Sequence, residues 1–221
     1  MSARTNGAES AAKRRFDALL CDLDGVLRIW DPALWPPIEE RHRMPPGTIG
    51  AAAFAPGLLL PPVLGQISDE QWRLEVAKSL AQQYGIERAA AAVADWSAPT
   101  GRVEPIAVAL VQQVRAAGIR AVMVTNATSR LDRDLAALGL DDAVDAVVNS
   151  SRIGVVKPDP EIYLHAAQAA GAEPDRCLFV DDTAANVVGA EAVGMTAILY
   201  TGTASLPEIA AALGLGATPA P

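Results

Sequence analysis

From residue 103 to residue 213, apolar and polar positions follow two alternating periods. Short, nearly continuous apolar runs are succeeded by stretches whose apolar residues recur at three- and four-residue intervals, the pattern of a parallel sheet with crossover helices. Pro105 to Ala117 places Ile106, Ala109, Leu110 and Val114 on one face, and Gly118 follows as a stop. Arg120 to Thr125 (RAVMVT) reads as a strand covered on both faces. Ser129 reads as the N-cap of a helix that ends at Leu138, ahead of Gly139. Ala146 to Asn149 predicts a short strand, and Pro160 to Ala170 a helix with proline in its first turn and Gly171 behind it. Cys177 to Asp181 then reads as strand, Thr183 to Val193 as helix, Thr196 to Tyr200 as strand and Leu206 to Leu213 as a last helix. Upstream, Ala18 to Asp22 predicts the first strand.

Residues 31 to 102 do not alternate in this way. Their strongest signal is Ser68-Asp-Glu-Gln71, a capping box opening a helix whose face holds Trp72, Val76, Leu80 and Tyr84 before Gly85 stops it. A second helix follows from Glu87 to about Trp96. The expected organisation is therefore an α/β core, residues 16–30 and 103–213, with a Rossmann-like parallel sheet and helices on both faces. A helical insert, residues 31–102, follows the first strand. Residues 1–15 are expected to be a flexible extension and 214–221 a flexible tail. All four tryptophans, Trp30, Trp35, Trp72 and Trp96, fall in the insert or at its approach.

Composition narrows the function classes. At 221 residues, 51% apolar and 20% charged, the chain can bury a sizeable core. A net charge of −8 argues against nucleic acid or anionic membrane as partners, because phosphate neutralisation needs basic clusters and Lys13-Arg14-Arg15 is the only one. No apolar segment of signal-peptide length follows that triplet, so a cytoplasmic location is expected. The long uncharged stretch from Met44 to Ser68 is broken by five prolines and four glycines and cannot be one membrane helix. Cys21 and Cys177 sit in apolar runs and read as reduced core residues.

In an open parallel sheet, ligands bind beyond the carboxyl ends of the strands. Four polar groups fall there: Asp22 with Asp24, Thr125 with Asn126, Lys157, and Asp181 with Asp182. Taken alone, Asp22 and Asp24 read as readily as a strand-end turn as a reactive pair. Carboxylates gathered so closely repel unless a divalent cation sits among them, and oxygen ligands favour Mg²⁺.

With CDLDGVL, MVTNA, GVVKPDPEIY and LFVDDTAANVVGAEAVGM in this order, the chain resembles the haloacid dehalogenase-like hydrolases, in the branch with a helical cap inserted after the first strand. The stretch GQISDEQW resembles the approach to the family's long cap helix. The resemblance implies Mg²⁺-dependent phosphoryl transfer from a small-molecule phosphate ester through an aspartyl-phosphate. Asp22 would be the nucleophile and Asp24 the general acid and base. The Asp22 carboxylate, the Asp24 carbonyl and the Asp181-Asp182 pair would hold the metal, while Thr125, Asn126 and Lys157 would bind phosphate oxygens. The second aspartate and the acidic pair favour a phosphatase over a dehalogenase. Lys78, the single lysine of the insert, lies opposite its helix's apolar stripe, which disfavours an imine-forming phosphonatase. A sugar-phosphate mutase of the β-phosphoglucomutase type is the enzymatic alternative, and a weakly active regulatory or binding protein the other. The pattern suits a monomer or a homodimer.

Substrate selection is expected from the insert and the loop after the first motif. Arg28, Trp30, Trp35, Glu39, Arg41, His42 and Arg43 are the candidates, each of which could equally serve packing or solvation.

Overall fold

A computed structural model describes residues 14–216. The expected N-terminal extension up to residue 13 and the tail from residue 217 lie outside the described residues. Five parallel strands form the central sheet: β1 (Ala18–Cys21), β4 (Arg120–Thr125), β5 (Ala146–Asn149), β6 (Cys177–Asp181) and β7 (Thr196–Leu199), in the spatial order β5-β4-β1-β6-β7. β1 is central, so its carboxyl end lies between those of β4 and β6. The chain order reverses around β1, the arrangement that opens a crevice beyond the strand ends.

The period-two alternation of the strands divides the core. Leu19, Cys21, Ala121, Met123, Leu178 and Val180 face one apolar cluster, joined by α6 (Pro105–Ala116), α7 (Leu131–Leu138) and α11 (Leu206–Ala212). Ala18, Leu20, Val122, Val124, Cys177 and Phe179 face the other, against α9 (Pro160–Ala170) and α10 (Ala184–Ala192). Every one of these twelve strand residues is buried, which explains why the strands read as apolar runs rather than as alternations. The thiols of Cys21 and Cys177 are free and buried, and the register sets Cys21 opposite Val180 and Cys177 opposite Ala18. Burial pushes the Cys21 thiol up to about 12 and that of Cys177 to about 11, so both are inert core groups.

Between β1 and β4 the chain leaves the sheet and returns through a two-stranded antiparallel ribbon, β2 (Arg28–Ile29) with β3 (Arg102–Val103), that the residue pattern did not reveal. The insert it carries has five helices: α1 (Trp35–Arg41), α2 (Thr48–Ala53), α3 (Pro56–Val63), α4 (Asp69–Tyr84) and α5 (Ile86–Trp96). The expected capping box of α4 is present, with Ser68 accepting from the Gln71 N–H and Gln71 from the Ser68 N–H. The first three helices were hidden in the sequence by prolines and glycines that read as breakers. The insert has an apolar cluster of its own, centred on Ile49, Trp72, Val76, Ala89 and Val93.

Ser129 does not cap α7 as the sequence predicts. Its hydroxyl instead accepts the Asp69 N–H at 2.9 Å, so a core loop helps to cap an insert helix. Thr128 donates to the Asp69 carboxylate at 2.9 Å from the same loop. A second contact is set by Gly65, where an added Cβ would lie 2.0 Å from the Ser151 carbonyl oxygen of α8 (Ser150–Ile153). The insert thus lies against the segments that follow the carboxyl ends of β4 and β5. Among the described residues no helix is long and apolar enough to cross a membrane.

Candidate active site

The polar groups at the strand ends converge. Asp22 follows the last residue of β1, and its N–H still bonds the Val180 carbonyl at 2.9 Å, so sheet geometry fixes its position. One carboxylate oxygen accepts the Leu23 N–H at 2.7 Å, and the other lies 2.9 Å from Lys157 Nζ. Lys157 reaches Asp181 as well, at 2.6 Å. The lysine and both aspartates are buried, forming a carboxylate–ammonium–carboxylate bridge across the ends of β1 and β6.

Burial pushes the Asp22 carboxyl up to about 7, with Lys157 opposing the rise and Asp181 and Asp24 adding to it. Burial alone would lower the Lys157 ammonium, but Asp22 and Asp181 outweigh it and hold the group above the ordinary lysine range. The lysine therefore stays charged. Its backbone is clamped by Asn126, whose side chain accepts the Lys157 N–H at 2.8 Å and donates to the Lys157 carbonyl at 3.0 Å. Thr125, buried at the end of β4, lines the same polar cavity as Asp22, Lys157 and Asp182.

The two members of the second acidic pair have different environments. Asp181 is fully buried and its oxygens are engaged: Oδ1 accepts from the Thr183 N–H and from Asn186 Nδ2, each at 2.9 Å, and Oδ2 accepts from Lys157. Asp182 is exposed and faces Gly25. At that glycine, with φ +78°, an added Cβ would sit 1.9 Å from Asp182 Oδ2. Gly25 therefore does two things, turning the chain out of the sheet and leaving room for the Asp182 carboxylate. Only the first is readable from the sequence. Asn186 is another participant that sequence reasoning missed; it lies inside LFVDDTAANVVGAEAVGM, one turn into α10, and its carbonyl accepts from the buried Tyr163 hydroxyl at 2.8 Å.

Oxygens of Asp22, Asp181 and Asp182 lie within 4.8 Å of one another. The Asp24 carboxylate is held apart from this cluster. Arg28 grips it with Nε at 2.7 Å and Nη2 at 2.8 Å, and Trp30 Nε1 donates to it at 2.7 Å. Arg28 is itself braced by Asp134 at 3.2 Å, which in turn binds Arg130 at 2.6 Å.

The substrate candidates separate. Arg28, Trp30 and Trp35 line a cavity beside Asp24. Glu39 does not: it is fully buried, and its carboxylate accepts the N–H groups of Gly47 and Ile49 at the start of α2, a structural task. Arg41 and His42 bond Asp95, at 3.0 and 2.9 Å, away from both cavities, and Arg43 is an exposed turn residue with φ 56°. Lys78 is exposed and paired with Glu75 at 2.7 Å.

A doubly wound parallel sheet with an acidic crevice at its central strand defines an α/β protein whose clustered carboxylates suit a cation. The sequence matches the haloacid dehalogenase-like hydrolases over residues 16–194, and the chain belongs to that family. It is 38% identical over 90 residues to phosphatase MT3486 of Mycobacterium tuberculosis, covering 40% of this chain and 42% of that one. It is 27% identical to the sesquiterpene phosphatase astK of Aspergillus oryzae, covering 84% and 90%. The chain spans about half the length of several curated relatives, the mycobacterial one among them. Its fold is similar to that of a HAD family enzyme from Bacteroides thetaiotaomicron solved with magnesium and inorganic phosphate, with TM-score 0.67, 18% identity and coverage of 85% and 96%.

Proposed function

We propose that the chain is a Mg²⁺-dependent phosphomonoesterase acting on a small phosphorylated molecule through an aspartyl-phosphate on Asp22. The observation that carries this reading is the buried Asp22–Lys157–Asp181 bridge with Asp182 open beside it. Names of relatives support it, since two are phosphatases and a protein of the same fold was solved with magnesium and phosphate.

The residues fit the metal. Three carboxylates face one ammonium, which leaves negative charge uncompensated, and all the donors are oxygens. Because Asp181 is engaged by Lys157, Thr183 and Asn186, the direct ligands would be Asp22, Asp182 and the Asp24 carbonyl. When bound, Mg²⁺ would neutralise phosphate charge and relieve the repulsion between substrate and Asp22.

The chain's own groups account for the remaining steps. Lys157 and the donors around Thr125 and Asn126 would bind the non-bridging oxygens, where charge is spread in the transition state. An Asp22 oxygen forms a bond to phosphorus as the bond to the ester oxygen breaks, and Asp24 gives its proton to the departing alcohol. Water then attacks phosphorus, Asp24 takes a proton from it, and phosphate leaves with Asp22 restored. Asp181 acts through Lys157 as a positioning residue. Residues 31–102 would serve as the cap that limits water access.

Phosphate release from 4-nitrophenyl phosphate with Mg²⁺ tests the reading. Asp22→Asn is expected to lower kcat by on the order of a thousandfold or more. Wild-type turnover in that variant would reject the nucleophile.

A further inference from the structure

The aromatic side chains of the insert and its approach form one continuous wall. Trp30 stacks near Trp35, Trp35 near Trp96, and Trp96 near both Phe54 and Trp72, with ring centroids 5.6 to 6.3 Å apart. All five line a cavity of about 360 Å³ between the insert and the sheet. That cavity shares Asp24, Trp30 and Asn126 with the polar one, of about 500 Å³, that holds Asp22, Lys157 and Asp182. The two chambers meet at Asp24.

Charged groups border the aromatic chamber, but they are committed to one another. Arg28 is bound by Asp24 and Asp134. Arg130 is bound by Asp134 and the Ser97 carbonyl. Arg73 lies 2.6 Å from Asp69, whose carboxylate also accepts from Thr128. Two buried donors of the lining residues, Trp72 Nε1 and Arg73 Nε, have no hydrogen-bond partner among the described residues, the Arg73 contact with Asp69 being an ion pair only. A polyhydroxylated ligand would have to share these groups with their ion-pair partners to satisfy its hydroxyls, and any hydroxyl left unpaired there carries a cost. Among the described residues, a ligand with a second phosphate would find no cation there without a carboxylate partner, which also disfavours the sugar-phosphate mutase.

Resting on the phosphatase reading above, we propose that this chamber receives the alcohol part of the substrate, and that the substrate is a phosphate monoester of a bulky apolar alcohol, aromatic or alicyclic, rather than of a sugar. The phosphate would occupy the polar chamber and the hydrocarbon the aromatic one. The bridging oxygen would then cross at Asp24, the group assigned to protonate it. The size matches a ligand of one or two fused rings, at the lower end of ordinary ligand cavities.

The test compares four esters of primary alcohols with the full chain and Mg²⁺: benzyl phosphate, 2-naphthylmethyl phosphate, glycerol 3-phosphate and glucose 6-phosphate. Their similar leaving groups isolate recognition from chemistry. The kcat/KM for 2-naphthylmethyl phosphate is expected to exceed that for glucose 6-phosphate by about a hundredfold. Phe54→Ala, which truncates an exposed wall residue, is expected to cut that preference about fivefold. Equal or faster turnover of glucose 6-phosphate would overturn the chamber's assignment and leave the phosphatase standing. If none of the four releases phosphate, the phosphatase reading fails. Calorimetric titration with 2-naphthylmethanol and with glucose then decides the chamber alone: binding of the aromatic alcohol only supports it, and any other result overturns it.

Discussion

Arg28 holds both carboxylate oxygens of Asp24 in a bidentate grip, at 2.7 and 2.8 Å, from the first residue of β2, four positions along the chain. The guanidinium fork is planar and directional, so it fixes where that carboxylate points in a way that a lysine ammonium would not. Arg28 is a positioning residue for the proposed acid. Arg28→Lys is expected to lower kcat about tenfold on benzyl phosphate, whose alkoxide needs a proton. It should have little effect on 4-nitrophenyl phosphate, whose leaving group needs hardly any. Equal losses on both esters would show that Arg28 matters only to the structure.

The neighbouring aspartates at the end of β6 should separate cleanly. Asp182→Asn is expected to weaken Mg²⁺ binding at least about tenfold while changing the stability of the metal-free protein little. Asp181→Asn leaves the buried Lys157 with one carboxylate in place of two, and should cost about 3 kcal/mol of stability. Urea denaturation of the metal-free proteins and calorimetric Mg²⁺ titration distinguish the two.

Magnesium binding should depend on pH through Asp22. Its carboxyl is raised to about 7, chiefly by burial, so below that pH the metal-free site carries a proton that the cation must displace. Apparent Mg²⁺ affinity is therefore expected to fall as pH drops from 8 to 6, approaching about tenfold per unit at the acid end. In Asp22→Asn the slope should disappear even if weak binding persists. Calorimetry in buffers of different ionisation heats would count the released proton.

Gly25→Ala combines a backbone penalty with a displaced ligand. The φ of +78° costs an alanine about 1 to 2 kcal/mol, and its Cβ would need the space that Asp182 fills. Loss of stability together with at least about tenfold weaker Mg²⁺ binding is expected. A variant that loses stability but binds Mg²⁺ normally would show that Asp182 contributes nothing to the site.

The α/β half of the fold was legible because its strands are buried on both faces and its helices carry explicit stops. Arg120–Thr125, Ala146–Asn149, Pro160–Ala170 and Cys177–Asp181 end where the residue pattern places them. The insert was half legible. Ser68 and Gln71 announce α4, whereas α2 and α3 are short helices in a stretch crowded with prolines and glycines, held by tertiary contacts such as the buried Glu39 carboxylate on the Gly47 and Ile49 amides. Of the candidate site, the acidic and basic side chains stand in the motifs themselves. Ser129 shows the limit of that reading, because its capping signal is genuine but the helix it serves belongs to the insert. Arg28 with Asp134 and Gly25 with Asp182 are relations across distant segments, and no local pattern encodes them.

The ribbon of Arg28–Ile29 with Arg102–Val103 has a consequence for engineering. Both passages between the sheet and the insert run side by side there, and the helices between Trp35 and Trp96 carry their own apolar cluster between adjacent ends. Grafting another lineage's segment at these two seams, with Gly65 and the Asp69 turn retained to meet Ser151 and Ser129, would recombine a new selectivity filter with an unaltered reaction centre.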